Sequence, residues 1–227
     1  MSGQKFFQII KKYRLFSLWV FLVLFFALLG EVNAKVVGLS ALACGLSTML
    51  IWKNKGSIAI KVKKWKSSPT KKFILLGSLG ALWAEFVYWF FERSLGGAGI
   101  AAHPNLLIDW LGTIPWYIIM VVLFWQVLKK YNYSAKEILV LGGIYELGAD
   151  GILGSILKGN LIAGIITGII GFPIFIMTYS IIVLPPAYLL GKIGNNFQKA
   201  KNKQRYIYAL LPLLGLIPYI FILLMIF

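Results

Sequence analysis

Apolar runs of about the length needed to cross a bilayer follow one another through this chain, separated only by short polar connections. In hydrocarbon a backbone has no water to satisfy its N–H and C=O groups, so runs of this kind read as transmembrane helices. Seven segments qualify: 14–30, 36–52, 73–92, 108–128, 137–157, 161–184 and 206–227. The third opens at Phe73 after Lys71-Lys72 and closes at Glu92-Arg93. The sixth closes at Pro185-Pro186, where two prolines are expected to stop a helix. The predicted fold is all-α, a polytopic bundle of seven transmembrane helices forming a single domain over 1–227. With 59% hydrophobic residues and a mean hydropathy of +0.82, no stretch is polar enough for a separate soluble domain.

The net charge of +16 does not indicate nucleic acid, because the charges fall in the connections between spans. All but three of the 23 Lys and Arg residues lie in the N-terminal segment and in loops 53–72, 129–136 and 192–205. The alternate loops hold only Lys35, Arg93 and Lys158. The positive-inside rule then puts the N-terminus in the cytoplasm and the C-terminus outside, in a multi-pass protein of the cell (plasma) membrane. The first span, with Lys11-Lys12-Tyr13-Arg14 before it and Val32-Asn33-Ala34 after it, also has the form of a signal peptide. It is longer than the usual apolar region of one, and it is expected to be retained. In loop 53–72, Ile58, Ile60, Val62 and Trp65 alternate with Lys61, Lys63, Lys64 and Lys66. This reads as an anchor on anionic headgroups at the cytoplasmic face. Gly148, Gly151 and Gly154, with Gly164, Gly168 and Gly171, allow close helix approach. Spans five and six, joined at Lys158-Gly159-Asn160, are expected to form a tight hairpin.

Five of the seven acidic residues fall within or at the rim of these runs: Glu85, Glu92, Asp109, Glu146 and Asp150. A carboxylate in hydrocarbon costs about 2.5–3.5 kcal/mol on insertion scales, so each one invites a functional reading. Glu85 lies about 18 Å along the third span, past the middle of a core about 30 Å thick, with Trp89 and Glu92 further along nearly the same face. Glu146 is near mid-membrane on the fifth span, with Asp150 one α-helical turn beyond it. By this topology all five acids lie in the outer half of the bilayer. Glu92 and Asp109 read as interfacial residues that Arg93 or Lys158 would balance. Glu85, Glu146 and Asp150 have no basic partner at their depth.

The chemistry this suggests is acid–base work on a lipid or isoprenoid, of isomerase, hydratase or cyclase type. Opposed carboxyls can perform it when their surroundings split their pKa values. Glu85, Glu146 and Asp150 are the acid/base candidates, with Asp109 and His103 orienting them. Trp89, Trp116, Tyr117, Tyr145, Asn105 and Glu92 would surround a hydrophobic small-molecule substrate. His103 has a second reading, as a loop residue stiffened by Pro104 with Asn105 capping the fourth span. No cofactor is evident, although the carboxylates would suit a cation. Two other classes share these features: a proton- or cation-coupled transporter or channel, and a non-catalytic scaffold or lipid-binding subunit. Glu85, the later pair Glu146 and Asp150, and Gly171-Phe172-Pro173 in the next span together resemble the integral-membrane carotenoid hydratase and cyclase families. That resemblance points the substrate towards isoprenoids.

Several classes are excluded. Segment 206–227 has no lysine for a retinal Schiff base. His103 is the only histidine, too few for a multi-histidine zinc site, and Cys44 is the only cysteine. Neither GxGxxG nor a P-loop occurs. The topology has a direct check: a reporter active only outside the cytoplasm should work when fused after Phe227 and fail when inserted in loop 53–72. The reverse pattern would overturn the assignment.

Overall fold

A computed structural model describes residues 14–153, 159, 161–193 and 204–226. Its helices are α1 (Arg14–Leu29), α2 (Val32–Lys53), α3 (Lys55–Lys64), α4 (Pro69–Leu95), α5 (Leu106–Lys130), α6 (Ala135–Glu146), α7 (Leu161–Ile170), α8 (Phe172–Leu189), α9 (Gln204–Ala209) and α10 (Leu216–Ile226). A π-helical segment, Leu147–Leu153, prolongs α6, and a 3-10 turn, Leu211–Gly215, joins α9 to α10. Among the described residues five helical stretches are long and apolar enough to cross a membrane: Val32–Lys53, Pro69–Leu95, Leu106–Lys130, Phe172–Leu189 and Gln204–Ile222. The protein is therefore all-helical, with the character of a multi-pass membrane protein.

Of the seven expected spans, the fifth and sixth are less regular than a single α-helix. The fifth segment changes its ladder at Leu147, where the glycine-rich run LGADGIL has little intrinsic hold on an α-helix. The sixth divides at Gly171, with Pro173 in the first turn of the new helix. Nor does that helix stop at Pro185-Pro186: it runs on to Leu189. It ends instead at Gly191, whose left-handed φ of 67° lets Gly191 N–H reach Tyr188 and Lys192 N–H reach Ala187. Pro185 carries no N–H, so the Ile181 carbonyl loses its helical donor. Gly80 of α4 packs directly on that carbonyl; a Cβ there would lie 2.5 Å from the Ile181 oxygen. The absence of a side chain at Gly80 lets α4 pack closely on the backbone at this point.

Helix α8 is the centre of the bundle, 78% buried over its length. It packs against α2, α4 and α6, while α5 lies on α4 and the C-terminal helices lie on α5. Three consecutive residues of α8 bond to three different helices. The Thr178 hydroxyl meets the Tyr88 hydroxyl of α4 at 2.8 Å, the Tyr179 hydroxyl accepts from Trp116 Nε1 of α5 at 2.9 Å, and the Ser180 hydroxyl meets that of Thr48 on α2 at 2.7 Å. Gly142 of α6 fits against Tyr179 and Val183. The fifth and sixth segments do pack on each other, with Gly168 against Leu147, while Gly148 faces Leu213. Gly154, Lys158 and Asn160 lie outside the described residues.

The basic connections gather at one end of this bundle. Lys55 Nζ lies 4.3 Å from the Trp52 ring centroid and 4.8 Å from that of Tyr188, and Lys192 Nζ lies 5.1 Å from the Trp125 ring. Trp125 Nε1 in turn donates to the Thr70 hydroxyl. The described residues contain one ion pair, Arg205 with Glu137, in which Glu137 also closes the capping box of α6 with Ser134. The Arg205 guanidinium lies over the rings of Tyr133 and Tyr206, and the Tyr133 hydroxyl donates to the Arg205 carbonyl at 2.7 Å. Burial pushes the Tyr133 phenol up to about 12 against the pull of Arg205, so it remains a donor at neutral pH.

Glycine 80 provides a test of this packing. Gly80→Ala should destabilise the bundle by about 1–3 kcal/mol, as overpacking does, seen as a lower thermal midpoint in detergent. Gly56→Ala, where a Cβ meets nothing within 4 Å, should not lower it.

Candidate functional site

The carboxylates divide into two neighbourhoods. Glu92, near the C-terminus of α4, and Asp109, in the first turn of α5, lie close to each other beside the loop that joins those helices. Both are buried, 3% and 0% exposed, and neither forms an ion pair with Arg93, which the sequence offered as a balancing charge. Arg93 is exposed, and Lys158 lies outside the described residues. Their partners are backbone amides instead. Glu92 Oε2 accepts from Ile100 N–H at 3.1 Å and from Ala101 N–H, and Asp109 Oδ1 accepts from His103 N–H at 3.2 Å. A carboxylate can satisfy several loop amides at once.

The remaining polar groups of this end serve the same loop. Asn33 of α2 holds Ala98 at both its N–H and its C=O. Trp89 Nε1 donates to the Pro104 carbonyl at 2.8 Å. His103 Nδ1 accepts from Asn105 N–H, while Asn105 Oδ1 caps α5 by accepting from Leu107 and Ile108. Glu92, Trp89, His103, Asn105 and Asp109 thus form one assembly around residues 97–105.

Glu85 and Glu146 form the second neighbourhood, deeper in the bundle. Glu85, half-buried in the middle of α4, accepts from the Tyr117 hydroxyl of α5 at 2.5 Å. The Tyr117 ring lies 5.7 Å from that of Tyr179, whose hydroxyl accepts from Trp116. Glu146 is buried at the last α-helical position of α6, where the π segment begins. Gly142, one turn before Glu146 on α6, packs on Tyr179. The helices that carry the two carboxylates, α4 and α6, thus both pack on α8, which carries Tyr179.

One of the expected site residues stands elsewhere. Tyr145 donates to the Ala209 carbonyl at 2.7 Å and joins α6 to the C-terminal helices. Asp150 falls in the π segment, where bonds run i to i+5, so an i, i+4 spacing no longer fixes its face relative to Glu146. Its side chain lies outside the described residues. Sequence reasoning did not place Thr178 and Tyr179 among the site residues. Their signal was present: Thr178-Tyr179-Ser180 is a polar triplet in the middle of an apolar span, and such groups in lipid seek partners on neighbouring helices. Among the described residues no group of three or more His, Cys, Asp or Glu side chains is placed to hold a metal ion.

The chain matches no known family model, no curated protein and no solved structure. Its likeness to the carotenoid hydratases and cyclases therefore rests on the residues quoted above alone.

The loop assembly has its own consequence. Asp109→Ala leaves the His103 N–H without its acceptor, at a cost of about 1–3 kcal/mol. Hydrogen exchange at residues 97–105 should speed up by about tenfold or more while that of α8 is unchanged. Unaltered loop exchange would show that Asp109 does not hold it.

Proposed function

We propose that this protein is an integral membrane enzyme performing acid–base chemistry on a lipid or isoprenoid, with Glu85 and Glu146 as its working carboxyls. The observation that carries this reading is the bond from the Tyr117 hydroxyl to the Glu85 carboxyl, beside Tyr179, against which the turn of α6 before Glu146 also packs. Glu85, as acceptor from Tyr117, is the base, and Glu146 is the acid. Protonation of a substrate double bond by Glu146 would leave a carbocation, and loss of a neighbouring proton to Glu85 would give the isomerised or cyclised product. Return of that proton to Glu146 balances the cycle. Capture of the cation by water, with its surplus proton passing to Glu85, would give hydration. Trp116, Tyr117 and Tyr179 would present aromatic faces to the cation, which suits their quadrupoles. Asp150 is retained as a third acid/base candidate. In this reading Glu92, Asp109, His103, Trp89 and Asn105 support the chemistry indirectly, by fixing the loop at one end of the bundle.

The proposal includes the arrangement in the cell: plasma membrane, N-terminus cytoplasmic, and the site in the outer half of the bilayer. The charge split between connections and the gathering of the basic ones at one end of the bundle support it. A second reading, proton- or cation-coupled transport through the same carboxyls with a cation bound between them, draws on the π segment after Glu146 and the helix break at Gly171. Both are features found where helices move.

Lipid extracts of cells expressing the wild type, Glu146→Gln and Glu85→Gln separate these readings. A product present with the wild type should be lost in both variants, and Tyr117→Phe should reduce it by about 100-fold or more, the scale of general acid–base catalysis. Identical lipid and isoprenoid profiles across the set would overturn the enzyme reading. Altered ion flux in proteoliposomes of Glu146→Gln would then favour transport.

A further inference from the structure

Helix α3 presents two unlike faces. Its inner face is fixed to the bundle: Val62 is 2% exposed, Lys55 lies over the Trp52 and Tyr188 rings, and Lys72 Nζ donates to the Lys63 carbonyl at 3.3 Å. Its outer face has no such role. Ile60 is 59% exposed and Trp65 is 40% exposed, and Lys61, Lys63, Lys64 and Lys66 around them are all exposed. None of these four lysines is ion-paired among the described residues, and residues 53–72 contain eight lysines and no acid.

We propose that the outer face of α3, continued by Trp65 and Lys66, is a docking surface for the anionic lipid headgroups of the leaflet at the basic end of the bundle. Charge complementarity selects this occupant. A dense positive field with no internal counter-charge seeks anions, and an isoleucine and a tryptophan between the lysines suit the boundary of headgroup and acyl chain. The helix is held to α2 and α8 by the Lys55, Trp52 and Tyr188 contact, so lipid binding there bears directly on the position of the central helix. This surface is independent of the carboxylate site and of the activity proposed for it.

The test uses the full chain in nanodiscs of purely zwitterionic lipid and in nanodiscs containing phosphatidylglycerol. Nitroxide labels are placed by Ile60→Cys or Trp65→Cys, and the unsubstituted chain, whose Cys44 is buried, is the labelling control. With phosphatidylglycerol both labels should lose most of their accessibility to a water-soluble relaxant and gain accessibility to oxygen. High salt should reverse the change, because surface charge is screened, and K61E/K63E/K64E/K66E should abolish it. Labels that stay water-accessible in both bilayers would overturn the proposal and leave the face free for an acidic protein. Equal shielding in both would overturn it too, since insertion would then be apolar and indifferent to headgroup charge. The salt reversal on wild-type lysines decides the matter even if the fourfold variant fails to fold.

Discussion

Lipid tails are as apolar as leucine, so greasy surface alone gives two helices in a bilayer no reason to prefer each other over lipid. The hydrogen bonds of Thr178, Tyr179 and Ser180 supply that preference. Successive residues on a helix point about 100° apart, so a polar triplet addresses three directions, and α8 uses them to hold α4, α5 and α2. Each such bond contributes on the order of 0.6–1.7 kcal/mol in membrane proteins, and together they fix which helix stands on which side. Close packing completes the arrangement on the fourth side, where Gly142 of α6 meets Tyr179. The candidate site follows from this geometry. Tyr179 is both a spoke of the bundle and the ring beside Tyr117, so the position of Glu85 depends on the centre that organises the helices.

The two acidic neighbourhoods show how one kind of residue serves two purposes in lipid. Glu92 and Asp109 accept from loop amides, whose N–H groups have no helical carbonyl to donate to. Carboxylates answer that need without any basic side chain. Glu85 is bonded to a side-chain hydroxyl on another helix, not to loop amides, and Glu146 stands at the point where its helix changes form. This contrast in surroundings, more than the presence of acids in apolar segments, separates a structural carboxylate from a candidate for chemistry.

Much of the fold was legible because hydrophobic length and charge placement are local properties. The segments around 36–52, 73–92 and 108–128 needed no more than their apolar runs and flanking lysines. What was not legible depended on partners. Pro185 and Pro186 read as a stop, but the helix runs on to Leu189 with Gly80 of another helix packed on its backbone. The site was partly legible for the same reason. Glu85 and Glu146 stood out as acids in apolar runs, but the Tyr117 bond to Glu85 and the place of Tyr179 beside it need three helices in register. Glu92 and Asp109 were expected to need a basic partner because depth along a helix takes no account of a loop folded over its end.

The π segment gives this molecule a reserve of register. An α-helix fixes each residue's direction by its number, but seven residues bonded i to i+5 hold more chain per turn than the α-helix before them. Were that slack taken up by return to α geometry, everything beyond Leu147 would turn by about 100° per residue absorbed. The capping box at Ser134 and the clasp of Arg205 on Glu137 would keep the base of α6 still. Glu146 stands where the α ladder of this helix gives way to the π ladder. The facing of the residues that follow is thus set by the wider ladder and not by an α-helical count from Ser134.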